Sequence, residues 1–357
     1  MTLPSSTHRR QPLLSIGMPV RNGENYLAEA IDSLLHQSFE DFEIYISDND
    51  SDDATESICH DYAKRDSRIR YRRQTENLGA VGNFNHVAEA TEAPLFKWAA
   101  HDDVCHRDFL TRCVTALDEQ PAAVWVHCRS DMIDENGDSY LHRLPADDEE
   151  VVVDDDGSRR WRGWPRDDFD HPSPVRRWAG VLTGTRWCVD SYGVIRREAL
   201  RKTRLETPVY GSEKVLIGEL ALLGKMAYVD EPLFAQRIHA EASSNIESAA
   251  AQEAFTATSQ QFNRTRFAKP FTSSRMRLLG EHRRAIHHIP LPMHQRVACY
   301  GVLARYVGQF GKYARVAKAV LGGRGVGGGG RRMVDQPTGS NVDAAVVAES
   351  AAMQPEK

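Results

Sequence analysis

Short apolar runs alternate with longer amphipathic stretches over the first third of the 357-residue chain. From Leu13 the runs LLSIGMP, FEIYIS, RIRYRR and PLFKWAA are typical of strands, and stretches such as ENYLAEAIDSLLHQS and DATESICHDYAKRD are typical of helices. The apolar face of the first predicted helix consists of Leu27, Ile31, Leu34 and Leu35. Glu29 lies on the opposite side, and we expect it to face water. This rhythm predicts a parallel α/β sheet covered by helices.

The middle of the chain has a less regular pattern. An Asn-Gly pair in IDENGDSY follows the apolar run AAVWVHC and predicts a β-hairpin that lengthens the edge of the sheet. Residues 145–178 lack clear periodicity, and we interpret them as a mobile loop over the functional site. The pattern becomes regular again in SEKVLIGELALLGKMAYVDEPLFAQRIH, which predicts a helix that leads into a strand.

Beyond about Ala249 the sequence is helical and basic. In residues 296–320 basic side chains alternate with apolar ones, which is typical of a packing helix or of a helix on a membrane surface. Residues 322–357 are rich in glycine and predict a disordered tail. The predicted division is a flexible N-terminus (1–12), a main domain (13–245, with halves 13–123 and 124–245), a helical region (246–321) and the tail.

Composition and charge limit the class of protein. The 45 basic and 50 acidic residues give a formal charge of −5 at pH 7, so nucleic acid is not an expected partner. Six cysteines without a CxxC pair indicate reduced thiols. The first dozen residues lack a signal-peptide core, and no apolar stretch of about 18 residues could span a bilayer. We therefore expect a cytoplasmic protein.

Acidic residues follow predicted structural elements at three places where open α/β sheets bind ligands. Asp48 is either a turn residue or an acceptor for the N3–H of a uracil or thymine ring. Asp102 and Asp103 either begin a helix or bind a divalent cation that relieves their mutual repulsion. Glu213 is either an acid at a helix N-terminus or a base that deprotonates a hydroxyl group.

These segments, taken in order, resemble the family-2 glycosyltransferases of the GT-A fold. The resemblance begins in SIGMPVRNGENYLAEAIDSLLHQSFEDFEIYISDNDSDDAT and continues through NLGAVGNFNHVAEA, KWAAHDD, IDENGD and EKVLIGELALLGKMAYVDEPLFAQRIH, from about residue 13 to 245. It implies a Rossmann-like nucleotide-diphosphosugar transferase fold, with a mixed sheet flanked by helices and a C-terminal helical extension.

The function that the resemblance implies is a metal-dependent glycosyltransferase using Mn²⁺ or Mg²⁺. A sugar would move from a UDP- or dTDP-sugar to a hydroxyl group of a glycan or lipid-linked acceptor, with inversion, at the inner face of the plasma membrane. Peripheral membrane contact through residues 296–320 agrees with that location.

The resemblance also implies a role for individual residues. The residues expected to bind the nucleotide-sugar are Pro19, Arg21, Asp48, Asn77, Asp102, Arg237 and His239. Asp102 and Asp103 would bind the metal, and Glu213 occupies the position of the general base. Trp187 is a candidate for stacking on an acceptor sugar.

The chain departs from the usual family sequence at three positions. Ala100 stands where many relatives carry an acid, Arg21 replaces an aromatic residue, and Glu213 replaces the commoner aspartate. A catalytically silent scaffold in polysaccharide assembly is therefore one alternative. A sugar-nucleotide pyrophosphorylase is another, but it would need a glycine-rich phosphate loop after the first strand, where MPVRNGENY has a single glycine.

Overall fold

The alternation of strands and helices is present in the computed structural model. It describes residues 11–145, 147, 148, 151–154, 156–161, 168–185, 188–240, 251, 252, 254–256, 259 and 274–321, with side chains to residue 308 in the last segment. The strands are β1 Leu14–Val20, β2 Phe42–Asp48, β3 Ile69–Arg73, β4 Leu95–Trp98, β5 Val104–Cys105, β6 Ala123–Ile133, β7 Val151–Val153, β8 Arg159–Trp161, β9 Val194–Arg196 and β10 Lys225–Arg237. The α-helices are α1 Leu27–Leu35, α2 Thr55–Arg65, α3 Gly79–Glu89, α4 Phe109–Glu119, α5 Pro174–Gly184, α6 Arg197–Leu200, α7 Ser212–Leu223, α8 Ser274–His288 and α9 Met293–Leu321.

Eight strands form one mixed sheet in the order β3-β2-β1-β4-β9-β6-β10-β5, and β7 pairs with β8 separately. Strand β1 runs parallel to β2 and β4, β2 to β3, and β6 to β10. Strand β9 runs antiparallel between β4 and β6. The carboxyl ends of β1, β2 and β4 therefore lie at one edge of the sheet, where such folds bind ligands. The predicted α/β fold class is confirmed.

Helix α1 packs its predicted apolar stripe against this sheet. Leu27, Ile31 and Leu34 are buried, and Leu35 packs partly buried against the same core. Glu29 differs from the expectation, because its half-exposed carboxylate pairs with the guanidinium of Arg237 at 2.5 Å. The helical spacing gives the correct side of α1, but it cannot reveal a partner 208 residues away.

The Asn-Gly turn forms, but the predicted hairpin does not. Gly137 has a φ angle of +87°, which favours glycine. The chain then makes only an isolated bridge between Ile133 and Ser139 before a short 3₁₀ helix at Tyr140–Arg143. Strand β6 lies between β9 and β10. The turn therefore adds nothing to the edge of the sheet.

Residues 145–178 contain regular structure, so the prediction of an irregular loop was wrong for the described part of this segment. Strands β7 and β8 form an antiparallel hairpin, and Val151 and Trp161 bury their side chains in a small separate core. Helix α5 begins at Pro174, where proline suits the first turn. Strands of three residues are too short to show a period in the sequence. Residues 162–167 lie outside the described part of the chain.

The C-terminal helical extension is confirmed by α8 and α9. Arg204 donates to Glu219 on α7 at 2.6 Å and to Glu281 on α8 at 2.7 Å, which fixes α8 to the main domain. Residues to Val307 form one compact unit, and Gly308–Lys357 form a second. The domain boundaries proposed above stay predictions, and residues 1–10 and 322–357 lie outside the described residues. In the described part of the chain, no helix combines the length and the apolarity needed to cross a membrane.

Gly193 gives a direct test of this packing, because a Cβ there would lie 2.0 Å from the carbonyl oxygen of Val126 in β6. A backbone atom of a central strand cannot turn away as a flexible side chain can. We predict that Gly193→Ala lowers the free energy of unfolding by about 2 to 3 kcal/mol, measured by urea unfolding. Gly280→Ala in α8 is the control, since no atom lies within 4 Å of its added Cβ. It should be neutral or stabilising by up to about 1 kcal/mol. Equal stabilities of the two variants would contradict the described contact.

Candidate active site

The side chain of Arg237, at the end of β10, is 2% exposed and joins three parts of the molecule. Its Nε donates to the carbonyl oxygen of Asp102 at 2.9 Å, and its Nη1 to the carbonyl oxygen of Asp134 at 3.0 Å. Its Nη2 donates to Glu29, and the guanidinium lies 4.7 Å from the ring centre of Tyr26. This placement differs from the expected contact with a diphosphate. The buried charge instead fixes the loop that carries the acidic pair.

The two acids of the pair point into different surroundings. Oδ2 of Asp102 lies 2.9 Å from Nε2 of His239, near the surface. Oδ1 of Asp103 accepts a hydrogen bond from the backbone N–H of Arg237 at 3.0 Å, and this side chain is buried. Strand β5 follows immediately, and α4 begins only at Phe109. The alternative interpretation of the pair as a helix start was therefore wrong.

These surroundings shift the two carboxyl groups in opposite directions. Burial raises the pKa of Asp102, but the hydrogen bond from His239 and the charges of His101 and His239 outweigh it, so the pKa is lowered. Burial, followed by the charge of Asp102, raises the pKa of Asp103 well above its ordinary value, despite the hydrogen bond from Arg237. Asp102 is therefore the more acidic carboxyl group of the pair, and Asp103 holds a proton more tightly.

Lys97, on β4, is a fully buried residue that the sequence pattern did not single out. Its Nζ donates to the carbonyl oxygens of Trp98 at 2.9 Å and Tyr192 at 2.7 Å. It also lies 4.8 Å from the ring centre of Phe109. Lys97 and Asp103 line the same small cavity. A buried lysine therefore lines the cavity beside the acidic pair. Its strand, β4, is otherwise apolar and buried, as core strands usually are.

Glu213 lies in the first turn of α7. Gly211 precedes the helix with a φ angle of +81°, a conformation that favours glycine. Burial raises the pKa of Glu213, and a backbone hydrogen bond partly opposes that shift. The carboxyl group therefore holds a proton more tightly than an exposed glutamate does.

The phenol of Tyr192 connects Glu213 with the acidic pair. Burial, and then the negative charges of Asp103, Glu213, Asp102 and Glu206, raise the pKa of Tyr192 well above its ordinary value. These carboxyl groups come from distant parts of the sequence but act on one hydroxyl group. The acidic pair and Glu213 thus both raise the pKa of one buried hydroxyl group, and their roles stay predictions.

Asp48 lies at the end of β2 and is fully buried. Its Oδ1 accepts from the backbone N–H of Ser51 at 2.9 Å, and its Oδ2 accepts from the Tyr71 hydroxyl at 2.8 Å. Arg73 lies 3.6 Å from the same carboxylate. Both oxygens are engaged within the protein, which favours the turn interpretation over contact with a base.

The other residues expected to bind nucleotide lie around the same edge of the sheet. Asn77 accepts from the side chain of Asn49 at 2.9 Å and from the backbone N–H of Gly79 at 2.8 Å, and so shapes the turn before α3. Pro19 lies on β1 beyond the last residue that pairs with β4, where its missing N–H costs no hydrogen bond to that strand. Arg21 follows on an exposed turn. Trp187 lies outside the described residues.

Tyr26, directly before α1, and Glu29, on α1, are further site residues that the sequence did not identify. The rings of Tyr26 and His239 lie 4.9 Å apart, so α1 supports the histidine from one side. The motif ENYLAE contains both residues, but nothing in its spacing signals a role beyond the helix. Among the described residues, no three His, Cys, Asp or Glu side chains are grouped so that they could hold a metal ion by themselves.

The role of Arg237 predicts a strong effect on stability. Lysine keeps the charge, but a single Nζ cannot donate to the separate acceptors that a guanidinium reaches. We predict that Arg237→Lys lowers the free energy of unfolding by about 3 kcal/mol, measured by urea unfolding with tryptophan fluorescence. Arg112→Lys, in an exposed pair with Glu231, is the matched control and should cost less than about 1 kcal/mol. A similarly small loss for both variants would contradict the central position of Arg237.

Proteins similar to this chain are glycosyltransferases. An uncharacterized glycosyltransferase of Rickettsia typhi is 33% identical over 135 residues, which are 38% of this chain and 41% of that protein. The GalNAc(5)-diNAcBac-PP-undecaprenol beta-1,3-glucosyltransferase of Campylobacter jejuni is 31% identical over 118 residues, which are 33% of this chain and 38% of that protein. The matched segments thus span about two fifths of the length of these relatives.

A solved structure and a family sequence model also match this chain. The crystal structure of S. aureus TarS 1–349 in complex with UDP-GlcNAc matches with a TM-score of 0.57 at 15% identity, over 87% of this chain and 76% of that chain. This likeness confirms the GT-A fold. The sequence model of glycosyl transferase family 2 matches residues 15–203, more than half of the chain. The chain belongs to glycosyl transferase family 2.

Proposed function

We propose that this protein transfers a sugar from a nucleoside-diphosphate sugar to a hydroxyl group of an acceptor. The observation that carries the proposal is the 2.9 Å approach of Asp102 Oδ2 to His239 Nε2, on a loop that the buried Arg237 holds. The pKa of Asp102 is lowered, and the pKa of Glu213 is raised. Sugar transfer needs two such groups, one to hold a metal ion that neutralises the diphosphate and one to accept a proton.

We assign Asp102 and His239 to a divalent metal, Mn²⁺ or Mg²⁺. Their Oδ2 and Nε2 atoms are 2.9 Å apart, and adjacent ligands of an octahedral ion have a separation of about 3 Å. Such ions take few protein ligands and complete their shell with substrate phosphates and water, so two side chains suffice. A metal bound there would neutralise charge on the diphosphate leaving group. Asp103, whose carboxyl group accepts from the backbone of Arg237, holds the loop in position instead of binding the metal.

Glu213 is our candidate for the general base. It would take the proton of the acceptor hydroxyl as that oxygen attacks the anomeric carbon, while the bond to the diphosphate breaks on the opposite face. A single displacement of this kind inverts the anomeric centre. Because burial disfavours the charged form, Glu213 is a stronger base than an exposed glutamate.

Pro19, Arg21 and Asn77 are our candidates for contact with the nucleotide of a UDP- or dTDP-sugar. They lie around the carboxyl ends of β1 and β2, which supports this assignment. Asp48 then acts indirectly, because its two oxygens hold the turn that borders the pocket.

For the acceptor we propose a glycan or a lipid-linked glycan. The name of the C. jejuni relative contains PP-undecaprenol, which supports a lipid-linked acceptor. The site would then work at the cytoplasmic face of the membrane, with peripheral contact through the C-terminal helices. Stacking of Trp187 on an acceptor sugar stays a prediction.

Substitutions in the acidic pair test the division between its two acids. We predict that Asp102→Asn weakens Mn²⁺-dependent binding of UDP by at least tenfold, measured by calorimetry, because a charged ligand is lost. Asp103→Asn should change this affinity by less than about threefold, since an amide oxygen can accept the hydrogen bond from the Arg237 N–H as the carboxyl oxygen does. Asp61→Asn, at an exposed site on α2, is the control. Equal losses in the two pair variants would contradict the assignment of the metal to Asp102.

Glu213→Gln tests the base. With a donor that supports nucleotide release in the wild type, the variant should lower kcat by about 10²-fold or more and keep the affinity for UDP. The exposed Glu119→Gln serves as the control.

Wild-type transfer should rise with pH through a value above the ordinary glutamate pKa of 4.5, because Glu213 must lose its proton before it can accept one. Normal turnover in Glu213→Gln would contradict the base assignment. No nucleotide release with any donor and acceptor would favour the scaffold.

A further inference from the structure

Helix α9 has a row of exposed apolar side chains. Met293 is 71% exposed, Val297 63%, Tyr300 38% and Val307 41%. Steps of four, three and seven residues place them along one face of the helix. An adjacent face buries Cys299, Leu303 and Tyr306 against the protein. Helix α9 therefore has a second apolar face that the described part of the chain leaves accessible.

Positive charge accompanies this apolar face. Between Ser274 and Val307 the sequence contains six basic residues and a single acidic one, Glu281. The basic residues are Arg275, Arg277, Arg283, Arg284, Arg296 and Arg305. Glu281 is buried and pairs with Arg204 and Arg284. In a chain with a net charge of −5, this segment is strongly positive.

The two helices run antiparallel, so the charges lie beside the apolar row. Nε2 of His287 lies 2.6 Å from the hydroxyl of Tyr300, and the rings of His282 and Tyr306 lie 5.7 Å apart. Arg283 is exposed one turn before His287, next to the second half of the row. We call the surface formed by Arg283, His287, Met293, Val297, Tyr300 and Val307 the α8–α9 face.

We propose that the α8–α9 face binds the surface of a membrane that contains anionic lipids. Apolar side chains of an interfacial helix enter the boundary between headgroups and acyl chains, and flanking arginines attract anionic headgroups. A second copy of this chain fits the face less well, because a symmetric contact would bring two strongly positive surfaces together. The combination of the exposed Val297 and Val307 with the exposed Arg283 therefore matches an anionic lipid surface.

The α8–α9 face is firmly connected to the helix that carries Glu213. Arg204 joins α7 to α8 through Glu219 and Glu281. Nζ of Lys214, the neighbour of Glu213, lies 5.5 Å from the ring centre of Tyr306 on α9. Membrane contact through this face would therefore hold α7 near the lipid surface. This last step rests on the proposed function, from which it takes a lipid-linked acceptor.

Flotation of the full chain with lipid vesicles tests the proposal. The wild type should float with phosphatidylcholine vesicles that contain about one third phosphatidylglycerol, should not float with pure phosphatidylcholine, and should dissociate as salt increases. Val297→Ser with Val307→Ser should lower the bound fraction roughly tenfold, and separately Arg283→Gln should lower it about fivefold. Val153→Ser and Arg65→Gln remove an exposed valine and an exposed arginine elsewhere, and should bind as the wild type does.

Three results would overturn the proposal. The first is no preference of the wild type for phosphatidylglycerol, and the second is an equal loss in the control variants. The third is a concentration-dependent dimer in sedimentation that Val297→Ser with Val307→Ser abolishes, which would assign the face to a second copy.

Unchanged thermal melting of each variant shows that it is folded. Nucleotide release with a water-soluble acceptor should be equal in the wild type and the serine variant. If neither protein transfers sugar while vesicle binding persists, the proposed function fails and the α8–α9 face stands.

Discussion

The guanidinium of Arg237 imposes the constraint on which the candidate site depends. A cation this deeply buried must find acceptors, since an unpaired buried charge costs several kcal/mol. Its acceptors are the carbonyl oxygens of Asp102 and Asp134 and the carboxylate of Glu29. Helix α1, the loop after β4 and the turn after β6 therefore meet at the end of β10. The acidic pair is held by the same contacts that complete this part of the fold.

The different properties of Asp102 and Asp103 follow from that arrangement. The backbone N–H of Arg237 holds Asp103 inward, where burial and the neighbouring charge raise its pKa, while Asp102 faces His239 and its pKa is lowered. Ala100 supplies no carboxylate, which leaves Asp102 and His239 as the proposed pair of metal ligands. The charges of Asp102 and Glu213 both raise the pKa of Tyr192. One buried cation thus organises the proposed donor side of the site.

Much of the fold could be predicted from the sequence, because helical and strand periods are local properties. The stripe of Leu27, Ile31 and Leu34 and the parallel strands before residue 100 belong to this class. The hairpin after β6 was wrong because Asn-Gly fixes a turn but not the pairing that follows it. Within the site, the order of the motifs singled out Asp102, Glu213 and His239, and their roles stay predictions. Lys97 and the inward direction of Asp103 could not be predicted, since they depend on contacts between distant segments.

The central claim is that Asp102 and His239, not Asp103, form the metal-binding side of a donor site. Anomalous scattering from a crystal of the protein grown with Mn²⁺ and UDP tests it most directly. The account predicts one strong peak about 2.1 Å from Oδ2 of Asp102 and from Nε2 of His239, with diphosphate oxygens on its open side. A peak bound by the carboxylate of Asp103, or UDP bound without any peak near Asp102, would contradict it.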